Sequence, residues 1–137
     1  MKRNRDHRPM NDQRTQADGS RILRLTLNKR WFDLIASGQK QLEYREYKDY
    51  WKTRLLKKNT NTGFTTGTVS FDRVHFTNGY GKDRPIVVRD FLGCLIMNGK
   101  SIVPDNGEPI DPDLNYFVIL LGKIRYLTGW DKYDYQA

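Results

Sequence analysis

The residues best suited to chemistry lie together in one short segment. Lys40, Glu43 and Arg45 bring an ammonium, a carboxylate and a guanidinium into the run Gly38-Gln39-Lys40-Gln41-Leu42-Glu43-Tyr44-Arg45. Polar and apolar residues alternate from Gln41 to Tyr47, which predicts a strand. Because strand side chains alternate between faces, Glu43 and Arg45 are expected on the same face, about 7 Å apart along the strand.

Three interpretations fit this cluster. In the first, the cluster is a surface salt-bridge network in which each pair contributes about 1 kcal/mol at most, and the spacing alone favours this interpretation. In the second, it is a ligand cleft in which Lys40 and Arg45 meet a phosphate or a base edge and Glu43 orients them or accepts from an amine. In the third, it is an acid–base site in which neighbouring cations and burial deprotonate the lysine.

Other catalytic and metal-binding patterns are missing from the sequence. Cys94 is the single cysteine and His7 and His75 are the only histidines, so no zinc ligand set can be assembled. Cys94 falls in an apolar run, where a thiol is normally inert. The sequence also lacks the nucleophile-elbow and phosphate-loop motifs. We expect neither a metal nor a cofactor.

An acid-rich stretch over residues 104–113 resembles a calcium loop only superficially. Its acids are interrupted by Pro109 and Pro112, and the terminal bidentate glutamate is absent. We therefore predict an irregular turn whose acids lie on the surface, namely Asp105, Glu108, Asp111 and Asp113.

Positive charge is concentrated in one part of the chain. The 137 residues carry a net charge of +8, of which residues 1–21 contribute +3, residues 22–58 contribute +6 and residues 59–137 contribute −1. Concentrated positive charge attracts polyanions, because neutralised phosphates release their counterions. A nucleic-acid partner is predicted, although a solvated surface tuned for solubility has the same composition.

The length and patterning predict one domain. Residues 1–20 are almost purely polar and are interpreted as a disordered basic tail, followed by a single domain over residues 21–137. No apolar run reaches the roughly 20 residues that span a bilayer, and the basic N-terminus lacks the apolar stretch of a secretory signal. We expect a cytoplasmic monomer with no membrane contact.

A strand and helices are predicted in the first part of the chain, and longer strands follow them. Alternating leucines predict a strand over residues 22–27, and a helix then begins at an Asn28 cap and ends at Gly38. A second helix is predicted over residues 49–58 and a loop over 59–67. Three strands follow, over 68–77, 86–97 and 116–127. The predicted class is α+β, a small mixed β-barrel with two flanking helices.

Three stretches together carry a family pattern. A helix that closes in Gly38-x-Lys40 precedes a strand with Glu43-Tyr44-Arg45, a turn follows later, and an apolar strand ends the pattern. The turn reads Phe76-Thr77-Asn78-Gly79-Tyr80-Gly81 and the strand runs from Tyr116 to Ile124. Over roughly residues 21–127, this arrangement resembles the ASCH domain of the PUA-like superfamily.

The resemblance implies a small β-barrel in which this motif lines a positively charged cleft that binds RNA or another nucleic acid. One branch of the family hydrolyses the acyl amide of an acetylated cytidine with a lysine and a threonine three residues later. Lys40 matches that lysine, but Glu43 stands at the threonine position. The hydroxyl is absent, so that activity is not carried over. Some relatives are nucleases, and their catalytic residues are not mapped onto this chain.

Two functional hypotheses follow. In the first, RNA enters the cleft, its phosphates meet cations, a base edge meets Glu43 and Arg45, and a tyrosine stacks on a base. The expected contacts are Lys29, Arg30, Lys40, Glu43, Arg45, Asn78 and Tyr80, with Tyr47 as a second stacking candidate. In the second, the protein hydrolyses a modified nucleoside or RNA. Lys40 is then the base or nucleophile, Glu43 the proton shuttle and Arg45 the anion holder.

Overall fold

The computed structural model describes residues 19–129. Within this range, two α-helices and seven strands form, together with two short 3-10 helices at Gly99–Ser101 and Asp105–Gly107. The α-helices are α1 (Lys29–Ala36) and α2 (Asp49–Leu55). The strands are β1 (Ile22–Leu27), β2 (Leu42–Glu46), β3 (Leu56–Lys58), β4 (Thr65–Thr68), β5 (Arg73–Asn78), β6 (Ile86–Asn98) and β7 (Asn115–Thr128). The tail predicted over residues 1–20 lies almost wholly outside the described residues.

Five strands form one mixed sheet in the order β1-β5-β6-β7-β2, and β3 and β4 form a separate hairpin. β1 runs parallel to β5, while the other neighbours in the large sheet are antiparallel. The predicted α+β class is confirmed. The hydrogen-bonded order has two ends, β1 and β2, so among the described residues the sheet is not a closed barrel.

The core lies between this sheet and the two helices. The alternating leucines of β1 are buried, as predicted, and so are Phe32 and Ile35 of α1. They pack with Phe76 of β5 and Phe117 of β7 in one continuous apolar cluster. Burying such side chains contributes about 1.5–3 kcal/mol each, which fixes α1 and β1 against the sheet.

Three element predictions need correction. The strand predicted over residues 68–77 is interrupted, because residues 69–72 belong to no strand and β5 begins at Arg73. The second helix ends at Leu55, and the residues predicted as its last turn form β3 instead. The predicted loop over residues 59–67 turns back into β4. Local amphipathicity favoured a longer helix, but Leu56 and Val69 are buried in the core, and that packing outweighs the helical preference.

The connection from β6 to β7 folds back tightly over residues 99–114. Gly99 donates its backbone N–H to the carbonyl of Leu114 at 2.7 Å. A Cβ atom at position 99 would lie 2.0 Å from the carbonyl oxygen of Asp111. Only glycine fits this close approach, which holds the acid-rich loop against the body of the protein.

No helix among residues 19–129 has the length and apolar character needed to cross a membrane.

Replacing Gly99 with alanine tests this close approach. The added methyl group pushes the backbone of residue 99 away from that of residue 111. We therefore expect the free energy of unfolding to fall by about 1–3 kcal/mol, as for other overpacked sites. Urea denaturation measures the loss. The exposed neighbour Lys100 supplies the control, because Lys100→Ala should change the stability by less than about 0.5 kcal/mol. Equal stability of the two variants would contradict the packing described.

Candidate functional site

The predicted cap and turn of α1 are confirmed, and they deliver Lys40 to the site. The Asn28 side chain accepts a hydrogen bond from the backbone N–H of Trp31 at 3.3 Å. At the other end, Gly38 has a φ of +84°, the left-handed conformation that ends a helix. The chain then reverses, and Lys40 donates its backbone N–H to Leu34 at 3.0 Å.

The Lys40 side chain is completely buried. Its Nζ lies 3.2 Å from Oε1 of Glu43 and 2.9 Å from Oε1 of Glu108, and it also donates to the carbonyl of Leu42. A buried charge needs such partners, because desolvating an ammonium costs several kcal/mol. Lys40 is therefore held by an oxygen cage within the protein, and its ammonium does not line the open cleft.

Glu43 and Arg45 lie on the same face of β2, as predicted. Both Nε and Nη2 of Arg45 donate to Oε2 of Glu43, at 3.0 and 2.7 Å. Nη2 also donates to the carbonyl of Thr26 on β1 at 3.3 Å. The guanidinium lies 4.9 Å from the ring centre of Trp51, so it is fixed by a carboxylate, a carbonyl and an aromatic ring.

Arg89 supports this arrangement from within the sheet. Its Nη1 donates to the carbonyls of Ile35 and Lys40, at 3.2 and 2.6 Å, and its Nε donates to Gly122 at 2.9 Å. Burial lowers the pKa of the Arg89 guanidinium. These bonds join the end of α1 to β6 and β7, and they fix the backbone that carries Lys40.

The acid-rich loop corrects a prediction, because two of its acids belong to the site. The Asp105 carboxylate accepts from the backbone N–H groups of Gln41 and Leu42, at 2.7 and 2.9 Å. The hydroxyl of Tyr44 accepts from the Asp105 N–H at 2.9 Å. Glu108 pairs with Lys40, so neither acid is merely a surface charge. The loop closes over the start of β2.

Opposing effects act on the pKa of the Glu108 carboxyl. Burial raises the pKa of its carboxyl, and the ion pair with Lys40 opposes that rise. Glu43 also raises this pKa, because a second carboxylate disfavours a further negative charge, whereas Arg45 lowers it. Burial is the largest effect, so Glu108 holds its proton to a higher pH than an exposed glutamate does.

A cleft of about 400 Å³ opens beside these residues. Its walls come from three segments, within residues 26–31, 43–51 and 108–116. Trp31 and Trp51 belong to two different walls. The volume lies in the range of ligand pockets, about 300–1,000 Å³. The cleft lies between the two ends of the sheet, where β1 and β2 do not pair.

The charge in the cleft differs from the expected strongly positive pocket. Its lining holds two cations and three acids, namely Arg45, Lys48, Glu43, Glu46 and Glu108. The excess positive charge of residues 22–58 lies elsewhere, on exposed or partly exposed positions of α1, α2 and β3. The physical reason is the cage around Lys40, because burying one ammonium brings two carboxylates to the same place.

Four further predicted contact residues lie outside the cleft lining. Lys29 is exposed and pairs with Asp33 at 3.0 Å. Arg30 is exposed and lies 4.5 Å from the ring centre of Trp31, which brings it to the rim. Asn78 is buried, while Tyr80 is 87 % exposed. The structure therefore gathers Lys40, Glu43 and Arg45 and leaves the other four apart.

Sequence reasoning missed three residues of the site. Glu108 is separated from Lys40 by a long stretch of chain, and no local pattern connects them. Tyr116 lines the cleft, and its hydroxyl accepts from the Asp111 N–H at 2.9 Å. Trp31 also lines the cleft. The signal available in the sequence was a tryptophan directly after a cation, Arg30.

Comparison of the chain with protein-family models, with curated proteins and with solved structures finds no match. The ASCH resemblance thus rests on the residues quoted above.

The raised pKa of Glu108 predicts a pH dependence. A carboxyl that binds its proton more tightly when folded stabilises the protein at low pH, and this contribution is lost as the pH rises from the ordinary value of 4.5 through the higher folded value. Glu108→Gln cannot titrate. We expect the stability of the wild type to fall relative to this variant as the pH rises above about 4.5, as measured by urea denaturation. A constant or growing wild-type advantage would contradict the assignment.

Proposed function

We propose that this protein is a nucleic-acid-binding module that takes one unpaired base of a single-stranded RNA into the cleft. The observation that carries the proposal is the fixed Arg45 guanidinium in a cleft flanked by Trp31 and Trp51. Unpaired bases are recognised by stacking on aromatic side chains and by hydrogen bonds to their edges. The cleft offers both kinds of contact.

Arg45 provides the directional contact. Its Nε and Nη2 are engaged by Glu43 and Thr26, whereas Nη1 makes no hydrogen bond to a described residue. The side chain is 18 % exposed, on the cleft side. A guanidinium held in this way offers its remaining donors to acceptors on a base edge, such as a carbonyl oxygen or a ring nitrogen. Preorganisation limits the entropy lost on binding.

The near balance of charge in the cleft supports a base rather than a phosphate as its occupant. A phosphate placed here would face Glu43, Glu46 and Glu108. A base presents donors and acceptors together, which matches a lining of carboxylates, a guanidinium and tyrosine hydroxyls. The phosphates are then left to the exposed cations at the rim, including Arg30 and Lys48.

We also propose that the fold is the small PUA-like barrel of the ASCH domain, with the cleft at its seam. The contact that supports this is the hydrogen bond from Arg45 on β2 to the Thr26 carbonyl on β1. It joins the two end strands of the sheet by a side chain where they lack backbone pairing. In this arrangement one guanidinium serves both the seam and the ligand.

Hydrolysis of a modified nucleoside is the second candidate function. The observation that favours it is the Glu108 carboxyl in the cleft lining, with a raised pKa suited to proton transfer. Lys40 is a weaker candidate for nucleophile, because its Nζ is enclosed by oxygens of Leu42, Glu43 and Glu108. Product formation from acylated cytidines, absent in Glu108→Gln, would identify the enzyme.

The binding proposal is tested by titrating the protein with a single-stranded RNA of about eight nucleotides. Arg45→Met removes the donor, and Trp51→Leu removes a stacking face while keeping an apolar side chain. Each contact contributes about 1–3 kcal/mol, so we expect each variant to bind about 5- to 150-fold more weakly. Fluorescence anisotropy gives the affinities.

The control is Lys123→Met, which removes a positive charge from an exposed position of β7 outside the cleft. It should weaken RNA binding only slightly, through the loss of one positive charge that attracts the RNA over a distance. Thermal unfolding of all three variants separates lost binding from lost folding. If the folded Arg45 and Trp51 variants bind as tightly as the control, the base does not enter this cleft and the proposal fails.

A further inference from the structure

A second exposed surface directly follows the cleft wall in the chain. The β3–β4 hairpin, residues 56–68, continues directly from α2, which contributes Trp51 to the cleft. Its base is anchored, because Leu56 is buried and the Val69 N–H donates to the Leu55 carbonyl at 2.8 Å. Beyond this base, residues 57–67 are all exposed. The hairpin is thus an exposed extension of the chain that directly follows one wall of the cleft.

The turn of the hairpin is held by a local hydrogen-bond set centred on Asn59. The Asn59 side chain accepts from the backbone N–H groups of Asn61 and Thr62, at 2.8 and 3.0 Å. Its carbonyl accepts from Gly63 at 2.8 Å, and its N–H donates to Phe64 at 2.9 Å. Gly63 has a φ of +75°, which suits glycine. The exposed turn therefore has a defined conformation.

This defined turn presents an aromatic ring to solvent. Phe64 is 74 % exposed, although burying a phenylalanine is worth about 1.5–3 kcal/mol. Lys57 and Lys58 are also exposed, and among the described residues neither ammonium group has an ion-pair or hydrogen-bond partner. The hairpin contains no acid, and its other side chains are mostly threonine hydroxyls and asparagine amides.

We infer that the β3–β4 hairpin is a second contact site for single-stranded nucleic acid. In this site Phe64 stacks on a base, and Lys57 and Lys58 contact phosphates that flank the base in the cleft. The inference rests on the proposed function and extends it from one nucleotide to several. Stacking on an exposed aromatic with cations beside it is how single strands are bound without sequence preference.

The cleft and the hairpin are close along the chain, which is why one single strand is proposed to contact both. Leu55 follows Trp51 by four positions in α2, a rise of about 6 Å, and β3 begins at the next residue. On this path α2 carries the partly exposed Lys52, whose Nζ lies 3.9 Å from the exposed Asp49 carboxylate. A strand that leaves the cleft along α2 meets the hairpin with no acidic residue on β3 or β4 in its way.

Protein and membrane partners fit the hairpin less well. A protein interface has a core of several buried apolar side chains, and here a single aromatic is surrounded by hydroxyls, amides and charges. Interfacial insertion into a bilayer also uses a continuous apolar face, which residues 57–67 lack. A lone ring on a hairpin that also carries two adjacent lysines matches a ligand in which bases and phosphates occur together.

The test compares two ligands, a nucleoside monophosphate and a single-stranded RNA of about eight nucleotides. Phe64→Ala and Phe64→Leu remove the stacking face, and the leucine keeps an apolar side chain. We expect both to weaken RNA binding by about 5-fold or more and to leave nucleoside monophosphate binding unchanged. If Phe64→Leu binds the RNA like the wild type, apolar contact rather than stacking explains the ring, and the inference is overturned.

The lysines are tested through the salt dependence. The Lys57→Gln and Lys58→Gln double variant removes two phosphate contacts and should lower the slope of log affinity against log salt by about 1.4 for a single strand. Lys82→Gln with Lys123→Gln removes the same charge from exposed positions outside the hairpin and the cleft, and should leave the slope unchanged. Equal slopes for the two double variants would overturn the inference.

The two proposals fail separately. If Phe64→Ala weakens RNA binding but Arg45→Met does not, the hairpin binds nucleic acid and the cleft does not. The reverse result keeps the cleft and overturns the hairpin site. Binding of anionic-lipid vesicles that depends on Phe64, together with unchanged RNA affinity in Phe64→Ala, would assign the hairpin to a membrane and likewise overturn the inference.

Discussion

The structure around the cleft depends on one constraint, which is that the fully buried Lys40 ammonium must be surrounded by oxygens. Three parts of the chain supply them, namely the backbone of Leu42, the carboxylate of Glu43 and the carboxylate of Glu108. Removing one partner of a buried ion pair typically costs about 3–5 kcal/mol, so these groups are held close to one geometry. The ion pairs therefore act as fixed points from which the cleft is built.

The same constraint decides what the cleft can bind. Glu43 is shared between Lys40 on one oxygen and Arg45 on the other, so the buried lysine sets the orientation of the guanidinium that faces the cleft. The carboxylates that neutralise Lys40 also reduce the positive charge of the lining. The cations available to a polyanion lie on the outer faces, while the interior offers balanced hydrogen-bonding groups. This separation favours a base inside and a backbone outside.

Much of the site could be read from local sequence, because it depends on short-range rules. Asn28 and Gly38 mark the ends of α1 by their capping chemistry, and alternation alone places Glu43 and Arg45 on the same face of β2. The predicted second helix was too long, since burial of Leu56 in the core is a tertiary effect. Glu108 was unpredictable for a similar reason. Its partner is distant in the chain, and the acids around it have the composition of an ordinary surface turn.

Arg89 gives the arrangement a further property. It lies on β6 and bonds to carbonyls of residues 35, 40 and 122, all of which are distant from it in the chain. A peptide that contained the whole run from Gly38 to Arg45 would lack these bonds, the Glu108 carboxylate and the third wall of the cleft. The run from Gly38 to Arg45 therefore does not hold this geometry by itself. The arrangement forms only when the whole domain has folded, and grafting it onto another scaffold requires transplanting its supporting arginine and loop as well.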